Sequence, residues 1–167
     1  QMIKPGTSTG YGVSGKEKYW YEALEDPGFS EMQYLKDLML SLPYFDRVPD
    51  QTLIVGKNGT KYNRLLATRG NDYILVYNYN CVPMKIDLTK ITGEKKNVWW
   101  MNAATGELTY ICQCDSKVKT FSQQNPTPGH VYDGVLIVID SSKNYIAKDQ
   151  KQISNMSLAD KTRNLNE

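Results

Sequence analysis

Two hydrophobic periods divide this chain. Met32, Leu35, Leu38, Met39 and Leu42 recur at the three-and-four spacing of one helix face, and Pro43 closes the run. Ser30 with Gln33 has the form of a capping box, and Phe29 with Tyr34 that of a hydrophobic staple, so the spacing predicts a helix over about residues 31–42. From Leu53 the period shortens to that of strands. "TLIVG", "NRLLATR", "DYILVYNY", "PMKIDL", "NVWWMN", "ELTYICQC", "KVKTF" and "GVLIVID" are short β-branched or aromatic runs separated by Gly, Asn, Asp and Pro. Eight such segments predict a mostly β fold, an antiparallel β-sandwich with the N-terminal α-helix packed on it.

The connections support antiparallel pairing. Asn58-Gly59, Gly70-Asn71-Asp72 and Thr105-Gly106 are turn formers, and loops this short join neighbouring antiparallel strands. The longer "NPTPGHVYDG", residues 125–134, is expected to cross between sheets or over one end of the sandwich. In "NVWWMN" the alternation of a strand sends Trp99 and Trp100 to opposite faces, so one enters the inter-sheet core while the other needs a different cover. Residues 1–28 are Gly-rich and aromatic. After Asp140 the chain turns polar, with Ser157 and Asp160 as a weak helix start.

Composition narrows the function classes. With 167 residues the chain suits one compact unit with appendages. Twenty Lys and Arg against 18 Asp and Glu leave a net charge of +2, which gives no basis for a nucleic acid or anionic membrane as partner. No apolar run approaches the ~20 residues of a membrane span, and the first residues lack the apolar core of a signal peptide. The opening Gln1 reads as an internal point of a longer protein. Cys81, Cys112 and Cys114 are too few for a disulfide scaffold; Cys112 and Cys114 share a strand face but lack two further soft ligands for zinc. Sequons at Asn58 and Asn155 are short patterns of little weight.

Candidate chemistry is sparse. A glycosidase needs two carboxylates about 5–9.5 Å apart. The acids set among aromatics are Glu22, Glu25 and Asp26 beside Trp20, and Asp46 and Asp50 around Arg47; the latter pair reads as turn residues bonded to local backbone or to Arg47. The single histidine, His130, lies in a Pro/Gly loop without a nucleophile elbow, and no nucleotide or metalloprotease motif occurs. Neither a metal nor another cofactor is expected. Aromatic residues remain: Tyr19, Trp20 and Tyr21 together, Trp99 and Trp100 together, and twelve tyrosines in all. Such rings fill cores or stack on sugars.

Several stretches together carry a resemblance: "WYEALEDPGFSEMQYLKDLMLSLPYFDRVPDQTLI", "ATRGNDYILVYNY", "VWWMNAATGELTYI" and "GVLIVID". They resemble the C-terminal region of bacterial glycoside-hydrolase-like (β/α)8 barrel proteins of gut Bacteroidetes, whose closing β domain is described as a putative collagen-binding domain of a collagenase. The resemblance covers roughly residues 17–140, most specifically at "PYFDRVPDQ" and the "WW-N-TG" hairpin.

It implies that residues 1–42 are the end of a catalytic barrel (loop plus helix), 43–52 a junction, 53–140 the accessory sandwich and 141–167 a polar C-terminal extension. It also implies that the catalytic acids belong to barrel strands outside this chain, since a barrel site is assembled from several strand ends. The expected function is that of a noncatalytic C-terminal accessory domain, in a secreted protein of carbohydrate metabolism, that buttresses the barrel. The alternative is adhesion to collagen or a polysaccharide. Candidate ligand or barrel contacts are Tyr19, Trp20, Glu22, Trp99 and Trp100, and the location implied is periplasmic, cell-surface or secreted.

Overall fold

The computed structural model describes residues 27–122 and 133–146, together with two short antiparallel strands, β1 (Met2–Ile3) and β2 (Lys18–Tyr19). Helix α1 spans Pro27–Ser41. It is followed by β3 (Val48–Pro49), β4 (Leu66–Arg69), β5 (Tyr73–Asn78), β6 (Met84–Asp87), β7 (Lys96–Asn102), β8 (Leu108–Cys114), β9 (Val118–Phe121) and β10 (Gly134–Asp140). Single 3-10 turns occupy Tyr44–Asp46, Gln51–Leu53 and Lys61–Asn63.

Six strands form one antiparallel sheet in the order β3-β4-β5-β10-β7-β8, and β6 with β9 forms a separate two-stranded ribbon. The ribbon lies on one face of the sheet. There Ile74, Val76, Val98, Trp100, Leu136 and Val138 pack with Met84, Ile86 and Phe121. Helix α1 lies on the other face, where Leu38 and Leu42 pack against Tyr73, Leu75, Met101, Val135, Ile137 and Ile139. The fold is thus the expected mostly β, sandwich-like one with a helix packed on it, the larger sheet being the middle layer.

Covering both faces explains the sequence of the central strands. All seven residues of β10, "GVLIVID", are buried, and β5 is buried at five of six positions. Neither strand has a polar face because neither has a wet one. The outer strand β8 keeps exposed residues along most of its length.

Four local expectations are revised. "TLIVG" is a 3-10 turn ending at Leu53 plus an isolated bridge from Ile54 to Ile86; Leu53 is still fully buried, so its apolar character serves the core without a strand. Val48–Pro49, inside the expected junction, pair with Thr68 and Arg69 as the edge of the main sheet, a place where proline is tolerated. The helix begins at Pro27 rather than after Ser30, because a proline at a first helical position has no N–H to leave unsatisfied; Ser30 is therefore helical and not a cap.

The fourth revision concerns the apolar stripe of α1. Leu38 and Leu42 are buried and Met39 half-buried, but Met32 is 61% and Leu35 41% exposed. The helix docks through its C-terminal half. Tyr73 Oη donates to Pro43 O at 2.9 Å and pins that end. Tyr34 meets the β7–β8 hairpin: a Cβ on Gly106 would come within 2.4 Å of its ring, and Gly106 has φ +71°; the Phe29 side chain of the expected staple lies outside what is described. That turn needs glycine twice, for its left-handed backbone and for the ring above it.

Topology also bears out the crossing connection. β9 belongs to the ribbon and β10 to the centre of the main sheet, so the chain between them passes from one sheet to the other. Residues 123–132 themselves, with His130, lie outside the described residues, as do Trp20, Glu22, Glu25, Asp26, the Asn155 sequon and the helix start at Ser157.

Candidate functional site: two surfaces on the helix side of the sheet

The tryptophan pair separates as strand alternation requires. Trp100 faces the ribbon and is 9% exposed, with its indole N–H lacking a hydrogen-bond partner among the described residues. Gly134 lies beneath it: a Cβ there would sit 2.5 Å from the indole and 2.6 Å from Met101 O. This ring fills the core and offers no open face. Trp99 points to the helix side, is half-buried, and meets Tyr110 edge-on at 5.6 Å and 70°. Tyr19 is placed by its backbone alone, opposite Met2.

Trp99 borders a pocket of about 320 Å3 at the end of the sheet, whose other wall is the turn after β10. That turn is tightly braced. The buried Asp140 carboxylate accepts from Ser142 N–H at 3.0 Å and from Thr92 Oγ1 at 2.9 Å, and these bonds, led by the Ser142 N–H, hold its pKa below the ordinary value. Ser141 N–H donates to Lys95 O at 2.9 Å. Tyr145 Oη donates to Asp72 Oδ2 at 2.6 Å; burial, then the bond to Asp72, push the phenol up to about 12.

The second surface is a groove of about 760 Å3 between the N-terminal half of α1 and the sheet. Its walls are mainly apolar: Met32 and Leu35 from the helix, Leu66, Leu75 and Tyr77 from β4 and β5, and Met101 from β7. Tyr77 Oη donates to Asp133 Oδ2 at 2.6 Å along its edge. Arg47 also borders it, with its guanidinium 4.9 Å from the Tyr44 ring centre and in contact with Met39 Sδ. Leu66 is 51% exposed, so the groove mouth is an apolar patch open to solvent.

Other candidate chemistry resolves into structure. Asp50 does not pair with Arg47. It accepts from the Thr52 hydroxyl, from Arg69 Nε at 2.8 Å and from Thr52 N–H at 3.0 Å, with Lys90 Nζ at 3.4 Å, and these partners, led by the Thr52 hydroxyl, hold its carboxyl far below the usual range. It ties the Gln51–Leu53 turn to β4. Asn58 of the first sequon uses its amide to bridge Leu65, accepting from its N–H at 3.0 Å and donating to its carbonyl at 3.1 Å. Cys112 and Cys114 do share a face; Lys119 Nζ lies 3.2 Å from Cys112 Sγ, and burial raises the Cys114 thiol. Among the described residues no three His, Cys, Asp or Glu side chains converge, and no helix is long and apolar enough to cross a membrane.

The sequence offered no signal for Tyr110, for the Ser141–Asn144 wall or for the exposure of Leu66. Their roles come from which strands become neighbours.

These features define a sandwich-like β domain that leaves an apolar helix–sheet face open. A family model described as "Putative collagen-binding domain of a collagenase" matches residues 48–139, and the chain belongs to that family. It is also similar to two solved structures. One, named a glycoside hydrolase, is 50% identical with a TM-score of 0.71 over 86% of this chain and 32% of its own. The other, a glycoside hydrolase family 5 protein from Bacteroides vulgatus ATCC 8482, is 53% identical with a TM-score of 0.72 over 86% of this chain and 31% of its own. The chain thus spans about a third of each. No curated protein matches it.

Proposed function

We propose that this chain is the noncatalytic C-terminal accessory domain of a glycoside-hydrolase-like protein and that it buttresses that protein's catalytic barrel. The observation that carries this reading is the open groove. Met32, Leu35 and Leu66 are 61%, 41% and 51% exposed along one mainly apolar depression. Apolar side chains grouped in this way mark a contact surface. In this reading α1 is shared: its C-terminal half holds the sandwich, and its N-terminal half holds the barrel, with residues 1–26 leading into it.

Similarity to about a third of chains named glycoside hydrolase supports placing the catalytic acids elsewhere in the parent. The Bacteroides relative supports a periplasmic, cell-surface or secreted location. The test is association in trans. The separately produced upstream barrel and this chain should form a 1:1 complex in sedimentation velocity, and glycosidase activity should stay with the barrel. Failure to associate, or hydrolysis of glycosides by this chain alone, overturns the reading.

The family description favours adhesion to collagen as a second reading. A triple helix is a long rod of three extended strands and needs a long shallow track. Saturable binding of this chain to fibrillar collagen, competed by the barrel, would assign the groove to collagen.

A further inference from the structure

The Trp99 pocket is a different surface from the groove, and its walls are unlike those of a protein contact. One side is an aromatic ring backed by Tyr110. The other is a short turn carrying Ser141, Ser142 and Asn144; the side chains of Ser141 and Asn144 make no hydrogen bond to any described residue, Ser142 turns to the Asp140 carboxylate, and the backbone of Ser141 and Ser142 is fixed by Lys95 and Asp140. Between the walls stands Asn97, whose Oδ1 accepts from Gln113 Nε2 at 3.0 Å, leaving its N–H2 group to donate. The volume of about 320 Å3 lies at the lower end of the ~300–1,000 Å3 usual for small-ligand pockets, room for one ring-sized unit.

We propose that this pocket is a binding subsite for one neutral pyranose unit of a polysaccharide. A sugar ring presents an apolar face of axial C–H groups and a rim of hydroxyls that both donate and accept. An aromatic ring opposite the free Ser141 hydroxyl and the Asn97 and Asn144 amides complements both at once. Bracing of the turn means little ordering cost on binding. Charge selects the neutral ring: the one cation at the pocket, Lys143, is neutralised by Asp72 at 3.7 Å, and no carboxylate lines the walls. The pocket is too short for a triple helix and has no basic cluster for a phosphate.

Affinity electrophoresis of the 167-residue chain in gels containing mixed-linkage β-glucan, xylan, galactomannan or pullulan tests this. At least one of these neutral polymers should retard the chain. Trp99→Ala should weaken that interaction by about tenfold, the loss expected when a stacking contact is removed. Because Trp99 also packs on the core, Asn144→Ala serves beside it: Asn144 is exposed, its removal should leave the far-UV and near-UV circular dichroism unchanged, and binding should still fall about threefold. The proposal is overturned by no retardation in all four gels or by retardation that both variants retain in full.

Discussion

If the open half of α1 is a contact surface, replacing its apolar residues should cost more stability when the proposed barrel is present than when it is absent. Met32 and Leu35 are 61% and 41% exposed in the chain by itself, and Leu66 across the groove is 51% exposed. Full burial of a Leu or Met side chain is worth about 1.5–3 kcal/mol. Scaled by the exposure still to be lost, covering these three residues contributes about 3 kcal/mol, roughly a hundredfold in an association constant. The double variant Met32→Asp, Leu35→Asp removes about two-thirds of that gain and adds the cost of desolvating two carboxylates at the interface.

Urea unfolding should be followed for the isolated chain and for the chain joined to the proposed upstream barrel, each with and without the two substitutions. By the same scaling, the parts of Met32 and Leu35 that are already covered are worth about 2 kcal/mol to the isolated chain, and the joined protein should lose about 2 kcal/mol beyond that. In the joined protein the substitutions should separate one cooperative transition into two, with the sandwich unfolding at its isolated midpoint. Equal loss in both contexts would mean that these side chains serve α1 itself. No loss in either would refute the contact.

Three further outcomes follow from the packing. Gly134→Ala should destabilise the chain by about 1–3 kcal/mol in urea unfolding, since the added methyl meets the Trp100 indole and the Met101 carbonyl and the backbone oxygen cannot yield; an unchanged midpoint would show that Trp100 has other room. Asp50 is held below its ordinary value of 3.8, so its contribution is complete above that pH and is lost as pH falls below it; Asp50→Asn should lower stability at pH 7 and flatten the acid limb of the stability profile measured from pH 7 to 2. Tyr145 is shifted the other way, up to about 12 from 10.0, so its neutral form contributes fully below pH 10 and progressively less above it; Tyr145→Phe should cost about 1 kcal/mol at pH 7 and remove that alkaline decline.

Seven of the eight expected strand segments contain a strand, because each pairs a β-branched or aromatic run with turn residues at its ends. "TLIVG" deceived for a physical reason. Its apolar residues are needed in the core at Leu53, but the Asp50 carboxylate bonds Thr52 N–H and bends the chain into a turn there. The helix start was misplaced for a similar reason. Ser30 and Gln33 satisfy a capping pattern, yet Pro27 already supplies a suitable first turn.

The candidate surfaces were far less legible than the fold. Trp99 and Trp100 were both visible as candidates, and alternation alone placed them on opposite faces. Which of them is buried depends on which face receives the ribbon, and that is a long-range fact. It is set by Met84 and Phe121 reaching across to pack with Trp100 in one core cluster. Likewise the Trp99 pocket joins β7 to the turn after β10, about forty residues apart in the chain, and no local pattern announces such a meeting.

The sequence by itself determined the local grammar: one amphipathic helix, short strands, the Gly106 turn and two oppositely directed tryptophans. These depend on backbone sterics and on side-chain periods of a few residues, so they can be read in place. Tertiary structure decided the layer order, the two-sided burial of β5 and β10, the half-docked helix and the open groove. Those follow from strand neighbours chosen by burying the largest apolar area at once, a competition among segments that no single stretch of chain contains.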